Sequence, residues 1–154
     1  MKSEYLKRMS VAGLAVLSII GSTLVTAPVA NATKGSDSNH YPNGAKITGN
    51  AWISTVAKGG CGKFQTSVVI SKKPKWIDNE TAFYQIGLGS ISIKGATAGS
   101  TRGNKSLYWK NTNGAKGAYL SGSVCGGWGA LYVGLDLHGG ALQYGTHRNI
   151  HVRL

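Results

Sequence analysis

The chain has 154 residues, with 17 Lys+Arg against 5 Asp+Glu, a formal net charge of +12, 23 glycines and only 2 cysteines. That length supports one domain with a single ordinary core and excludes a large multidomain assembly. Glycine so abundant, interleaved with Trp, Tyr, Val and Ile and lacking heptad or proline-rich tracts, suits short strands and tight turns and argues against helices.

The first 32 residues read as a secretory signal peptide. Lys2, Lys7 and Arg8 form a basic start, Val11 to Val29 an apolar segment, and Ala30-Asn31-Ala32 a small-x-small cleavage pattern ahead of a polar run. A transmembrane anchor fits less well: the segment is marginal against the ~20 residues a bilayer needs, and it contains Pro28. The expectation is cleavage after Ala32 and secretion to the extracellular space. Without the leader, residues 33–154 carry 14 Lys+Arg against 4 Asp+Glu, a net charge of +10.

Residues 33–46 are polar and rich in Gly, Asn and Ser, and are expected as a flexible N-terminal lead ending in the turn Pro42-Asn43-Gly44. Residues 47–154 then form a single β domain. Strands are expected over Ile47–Ala57 and Phe64–Ser71, with an exposed loop from Lys72 to Glu80, since Pro74 cannot sit in a central strand. Ala82–Lys94 is long, and Gly87 and Gly89 inside it mark a bulge or bend that lets it curve across the domain. After a loop over 95–105, Ser106–Lys110 and Ala118–Val124 flank Asn113-Gly114, a hairpin signal. In Gly129–His138, Leu131, Val133, Leu135 and Leu137 alternate with Tyr132, Gly134, Asp136 and His138. Leu142–Gly145 is a short strand, and Arg148–Leu154 closes the chain with Ile150, Val152 and Leu154 on one face. Seven to eight such strands imply an antiparallel sandwich or partly closed barrel. Cys61 and Cys125, in an exported chain, are expected to form a disulfide tying the two halves together.

The charge favours an anionic partner: a cell-envelope polymer such as teichoic acid, or a membrane surface, with nucleic acid not expected as the physiological partner. Lys72, Lys73 and Lys75 lead into Trp76, a basic cluster ending in an aromatic able to stack on a sugar or headgroup. Trp76 and Trp128, flanked by loop residues, are expected to be exposed, and Trp52 and Trp109 to lie in the core. The binding set is therefore Lys72, Lys73, Lys75, Trp76 and Trp128.

Catalytic templates are absent. There is no nucleophile elbow, P-loop, dinucleotide fingerprint or spaced metal motif, so no cofactor or metal is assigned. Asp136 and His138 share a strand face, and His151 joins them if the last strand pairs nearby; such a set can bind Zn²⁺ or act as a general acid/base pair. The expected function is a secreted cationic protein that binds anionic cell-envelope material, with use as a bacteriocin-type antimicrobial. The alternatives are a secreted inhibitor or adhesion module docking a protein or glycan, and a small extracellular hydrolase using Asp136, His138 and His151.

Overall fold

The computed structural model describes residues 32–56, 59–103 and 105–154. The expected leader, Ala32 apart, lies outside the described residues, as does Lys58 of the expected turn. Ten strands follow one another with no helix among the described residues: β1 (Ala32–His40), β2 (Lys46–Ser54), β3 (Cys61–Ile70), β4 (Trp76–Leu88), β5 (Ser92–Lys94), β6 (Ser100–Arg102), β7 (Ser106–Asn111), β8 (Gly117–Cys125), β9 (Gly129–Gln143) and β10 (Thr146–Arg153). They form two five-stranded sheets, ordered β1-β2-β3-β8-β5 and β10-β9-β4-β7-β6, and every paired neighbour is antiparallel. The architecture is a β-sandwich.

Period-two alternation builds the core. Ile47, Ala51 and Ile53 of β2, Phe64, Val68 and Ile70 of β3, and Ala118, Leu120 and Val124 of β8 point in from the first sheet. Ile77 and Phe83 of β4, Leu107 of β7, Leu135 and Leu137 of β9, and Ile150 and Val152 of β10 meet them from the second. Phe64 and Phe83 touch edge to face across the interface, with ring centroids 4.7 Å apart. One polar network sits inside this layer. The Asn79 amide donates to Thr66 Oγ1 (3.1 Å) and to the Ala118 carbonyl (3.2 Å), and its Oδ1 accepts from Thr81 (2.9 Å). Thr66 belongs to the first sheet and Asn79 and Thr81 to the second, so the network bridges them.

Several expectations change. Residues 33–46 are no flexible lead: β1 pairs along its whole length with β2, and Tyr41 and Ala45 in the following turn are buried. The strand was illegible because almost every side chain on it faces solvent, leaving no apolar alternation. The expected loop 72–80 is a loop only to Lys75, since β4 begins at Trp76 and its inward positions are Ile77, Asn79 and Thr81. Two polar residues in core positions hid the period.

The expected hairpin around Asn113-Gly114 is a crossover: β7 lies in the second sheet and β8 in the first. Asn111 and Asn113 accept backbone N–H bonds two residues on, from Asn113 (3.2 Å) and Ala115 (2.9 Å), which shapes a longer loop than a two-residue turn. A two-residue hairpin instead joins β9 and β10. It turns at Tyr144 and Gly145, both with positive φ (46° and 79°), as a type I′ turn requires.

Gly87 and Gly89 mark a bend as expected, but it divides the Ala82–Lys94 segment into two strands instead of curving one. With φ of 112° and 89°, they swing the chain out of β4 in the second sheet towards β5 in the first. Beside them the β4–β9 register shifts, with Ile86 opposite Tyr132 and Gly87 opposite Ala130. Leu131 is therefore bulged out and 72% exposed, not inward as its alternation suggested.

Cys61 and Cys125 form the disulfide, as directly opposed residues on the neighbouring strands β3 and β8. The bridge lies within one sheet rather than between halves, and encloses the chain from β4 to β7. Replacing both cysteines by serine should lower stability by about 4 kcal/mol, the chain-entropy value for a closed segment of this size, checked by urea unfolding. Asn79→Ala should cost about 3 kcal/mol, because it opens a cavity and leaves the buried Ala118 carbonyl without its side-chain donor. A loss under 1 kcal/mol in the same measurement would show that the network does not hold the sheets.

Candidate functional site

The outward side chains of each sheet form rows across neighbouring strands, and the two faces differ sharply in charge. On the first sheet one row runs Lys34, Trp52, Gln65, Ser121, and the next Ser36, Asn50, Ser67, Tyr119. These two rows line a groove of ≈ 820 Å³. A second hollow of ≈ 510 Å³ shares Trp52, Gln65 and Ser121 with it and extends to Lys63. Lys94 stands opposite Ser123, which itself faces Lys63. No carboxylate lines either hollow. Trp52 is half-buried between them, and Tyr119 stands exposed. Lysines, hydroxyls, side-chain amides and two aromatic rings thus share one concave face.

The second sheet carries a mixed chemistry of acids, imidazoles and cations. Its rows run His147, Leu142, Trp76; then Asn149, Gly140, Asp78, Lys110; then His151, His138, Glu80, Tyr108; then Arg153, Asp136, Ala82, Ser106. Residues 32–154 contain four acids, Asp37, Asp78, Glu80 and Asp136, and all four gather here. Asp37, Asp78 and Glu80 line a groove of ≈ 420 Å³ with His138, His147 and His151. Asp136 contacts two of those histidines: its Oδ1 bonds His151 Nε2 and lies 3.4 Å from His138 Nε2. Asp37 reaches the groove from β1 of the other sheet and accepts the His151 backbone N–H (3.0 Å).

Gly140 forms the floor of this groove. A Cβ there would lie 2.8 Å from His147 Nε2 and 2.9 Å from Asn149 Oδ1, so any side chain would fill the notch. Asp78 accepts the Gly140 N–H at 2.8 Å and the Tyr108 hydroxyl at 3.3 Å. Burial pushes the Asp78 pKa above its ordinary 3.8, while the Gly140 amide, Tyr108, Lys110 and His147 partly oppose that rise. Burial and the Asp78 carboxylate push Tyr108 above its ordinary 10.0. Arg102 sits 3.8 Å over the Tyr108 ring and 3.7 Å from Glu80, and Lys110 lies 4.3 Å over Trp76. The local cations are thus already engaged on this face.

The expected binding set is divided. Lys72, Lys73 and Lys75 are exposed on the segment before β4, where Lys72 Nζ donates to the Asn43 carbonyl at 2.6 Å. Trp76 is half-buried, packed between His147 (5.0 Å) and Lys110. Trp128 is exposed at the other end of β4, where Ile86, Leu88 and Leu131 are exposed with it. Trp76 pairs with Leu142 and Leu88 with Gly129, twelve residues further along β4, so roughly 40 Å of strand separates the two tryptophans. Trp52 and Trp109 are not core as expected. Trp52 faces outward from β2, and Trp109 is 40% exposed at the open end of the sandwich beside Lys116 and Tyr119. The Lys34–Trp52–Tyr119 face is not legible in the sequence because its residues come from β1, β2, β3 and β8, and β1 has no apolar alternation.

No protein-family model matches the sequence, and no curated protein matches it either.

Asp78 makes a pH prediction. A carboxyl whose folded pKa is raised contributes stability that is present below its unfolded value and is lost as pH rises through the folded one. Asp78→Asn keeps an acceptor for Gly140 and does not ionise. The variant should therefore gain on the native protein as pH rises from 3 to 7, read as the difference between their thermal midpoints. Parallel profiles over that range would count against burial as the cause.

Proposed function

We propose that this is an exported cationic protein that binds an anionic cell-envelope polymer, and that the outer face of the first sheet is its binding surface. The observation that carries the reading is the groove of ≈ 820 Å³ bearing Lys34, Trp52 and Tyr119 and lined by no carboxylate, in a chain of net charge +12. Its residue types suit a phosphate- or carboxylate-bearing glycan. Lysines meet the charges, Asn50, Gln65 and the serines hydrogen-bond hydroxyls, and Trp52 and Tyr119 offer ring faces to the sugars. Long-range attraction raises the local concentration at a negative surface, and the aromatic and amide contacts then act at short range.

The disulfide supports export, because such bonds persist in oxidising compartments. The biological use that fits an exported, wall-directed cationic protein is antagonism of other bacteria, in the manner of a bacteriocin. Lys72, Lys73 and Lys75 add positive charge at one end of the sandwich and serve the approach rather than the contact.

The test is binding of the purified, disulfide-intact protein to Gram-positive cell walls bearing teichoic acid and to walls stripped of it. Binding should require the anionic polymer. It should weaken about thirtyfold in Lys34→Ala/Lys63→Ala, taking ~1 kcal/mol for each cation near an anionic surface, and further in Trp52→Ala. Affinity unchanged at roughly 1 M salt, where charges are screened beyond ~3 Å, would overturn the reading. A greater loss on changing Lys72, Lys73 and Lys75 than on changing Lys34 and Lys63 would move the surface to the end of the sandwich. Growth inhibition of a bacterial panel tests the antagonistic use separately.

A further inference from the structure

We infer that Asp136, His138 and His151 form a site for a borderline divalent transition-metal ion of the Zn²⁺ class. The inference stands apart from the polymer reading, which rests on the other face. The sheet itself assembles the three ligands. His151 and His138 are directly opposed across the β9–β10 ladder, and Asp136 lies two residues from His138 on the same side of β9. Their donor atoms all lie within 4.8 Å of one another, and no other such group of three occurs among the described residues. The imidazole rings stack with centroids 4.3 Å apart and planes 14° from parallel, both Nε2 atoms turned to the same Asp136 oxygen.

This geometry is close to what an ion requires. Ligands bonded at ~2.0–2.1 Å in a tetrahedron stand about 3.3 Å apart, and the His138 Nε2–Asp136 Oδ1 separation is 3.4 Å. The third ligand, His151, is an exposed side chain already turned to the same Asp136 oxygen, and the strands that carry the set are well held. Asp37 accepts the His151 amide, Asn39 donates to the Asn149 carbonyl (3.3 Å), and the Tyr144–Gly145 turn pins the register.

Donor chemistry narrows the metal. Two imidazoles and one carboxylate suit Zn²⁺, Cu²⁺ or Fe²⁺, whereas Mg²⁺ and Ca²⁺ prefer oxygen-only sets. Both cysteines are bonded to each other and so do not compete as ligands. His138 and His151 are exposed, so the ion reaches the site from solvent, and three protein ligands leave a coordination position open to water or to an anionic group.

The experiment is calorimetric titration of Zn²⁺ into the disulfide-intact protein purified without a histidine tag, together with NMR of the histidine ring protons. One Zn²⁺ per chain should bind, in the presence of excess Mg²⁺. His138→Ala, His151→Ala and Asp136→Asn should each weaken it at least tenfold, and His147→Ala should leave it unchanged. The ring signals of His138 and His151 should shift on addition, and those of His40 and His147 should not, a readout that needs no variant to fold. Absence of saturable one-to-one binding, retention of it in the His138→Ala/His151→Ala double variant, or equal shifts at all four histidines would overturn the proposal.

Discussion

Asn79 occupies a position where an aliphatic side chain would be expected, and the outer face of the second sheet depends on where its amide lands. In a strand of period two, a slip of one residue sends every inward side chain out. An apolar core tolerates such a slip poorly, but an amide buried among Thr66, Thr81 and the Ala118 carbonyl specifies one register outright, because any other leaves several buried polar groups unpaired. With β4 so placed, Trp76, Asp78 and Glu80 face out beside β9, and the rows of the histidine-rich face follow. The bulge at Leu131 absorbs the mismatch at the far end of β4, so the register nearer Asn79 is undisturbed.

Charge is distributed between the faces rather than over the whole surface. A chain of net charge +12 has few acids; of the four in residues 32–154, Asp37, Asp78 and Glu80 line one groove and Asp136 contacts its histidines, with Arg102 beside Glu80 and Lys110 opposite Asp78. The other face is left without opposing charge. Net charge alone bears on solubility and approach; gathering the acids on one side leaves the lysines of the other face without a carboxylate beside them. The two sheets meet along β1 and β10, where Asp37 crosses from one face to contact the other. The metal-ligand candidates therefore sit beside the seam, and β1 contributes both Lys34 to one face and Asp37 to the other.

Much of the fold was legible. Alternation in β2, β3 and β10, the glycine bend after β4, the paired cysteines and the all-β class each follow from local pattern, because burial on one side writes a period of two into the residues. The remaining elements have no such period. β1 is an edge strand with nearly every side chain in solvent; β4 begins with a tryptophan and carries polar residues inward; Leu131 sits in a bulge. The Asn113-Gly114 signal was genuine as a turn and misleading as a hairpin, since turn chemistry says that the chain reverses but not which sheet receives it. Of the candidate site, Asp136, His138 and His151 could be named as a set conditional on the last strand pairing nearby, while Lys72, Lys73, Lys75, Trp76 and Trp128 were grouped by residue type and proved to lie at opposite ends of β4.

The sequence by itself determined the class of fold, the cysteine pair and the excess of positive charge, because these depend on composition and on neighbours a few residues apart. Tertiary structure alone decided which side chains share a face. The Lys34–Trp52–Tyr119 surface draws on strands separated by up to 85 positions, and the acidic groove collects residues from 37 to 151. Such groupings are set by strand order and register, which arise from pairing between distant segments and leave no local trace in the chain.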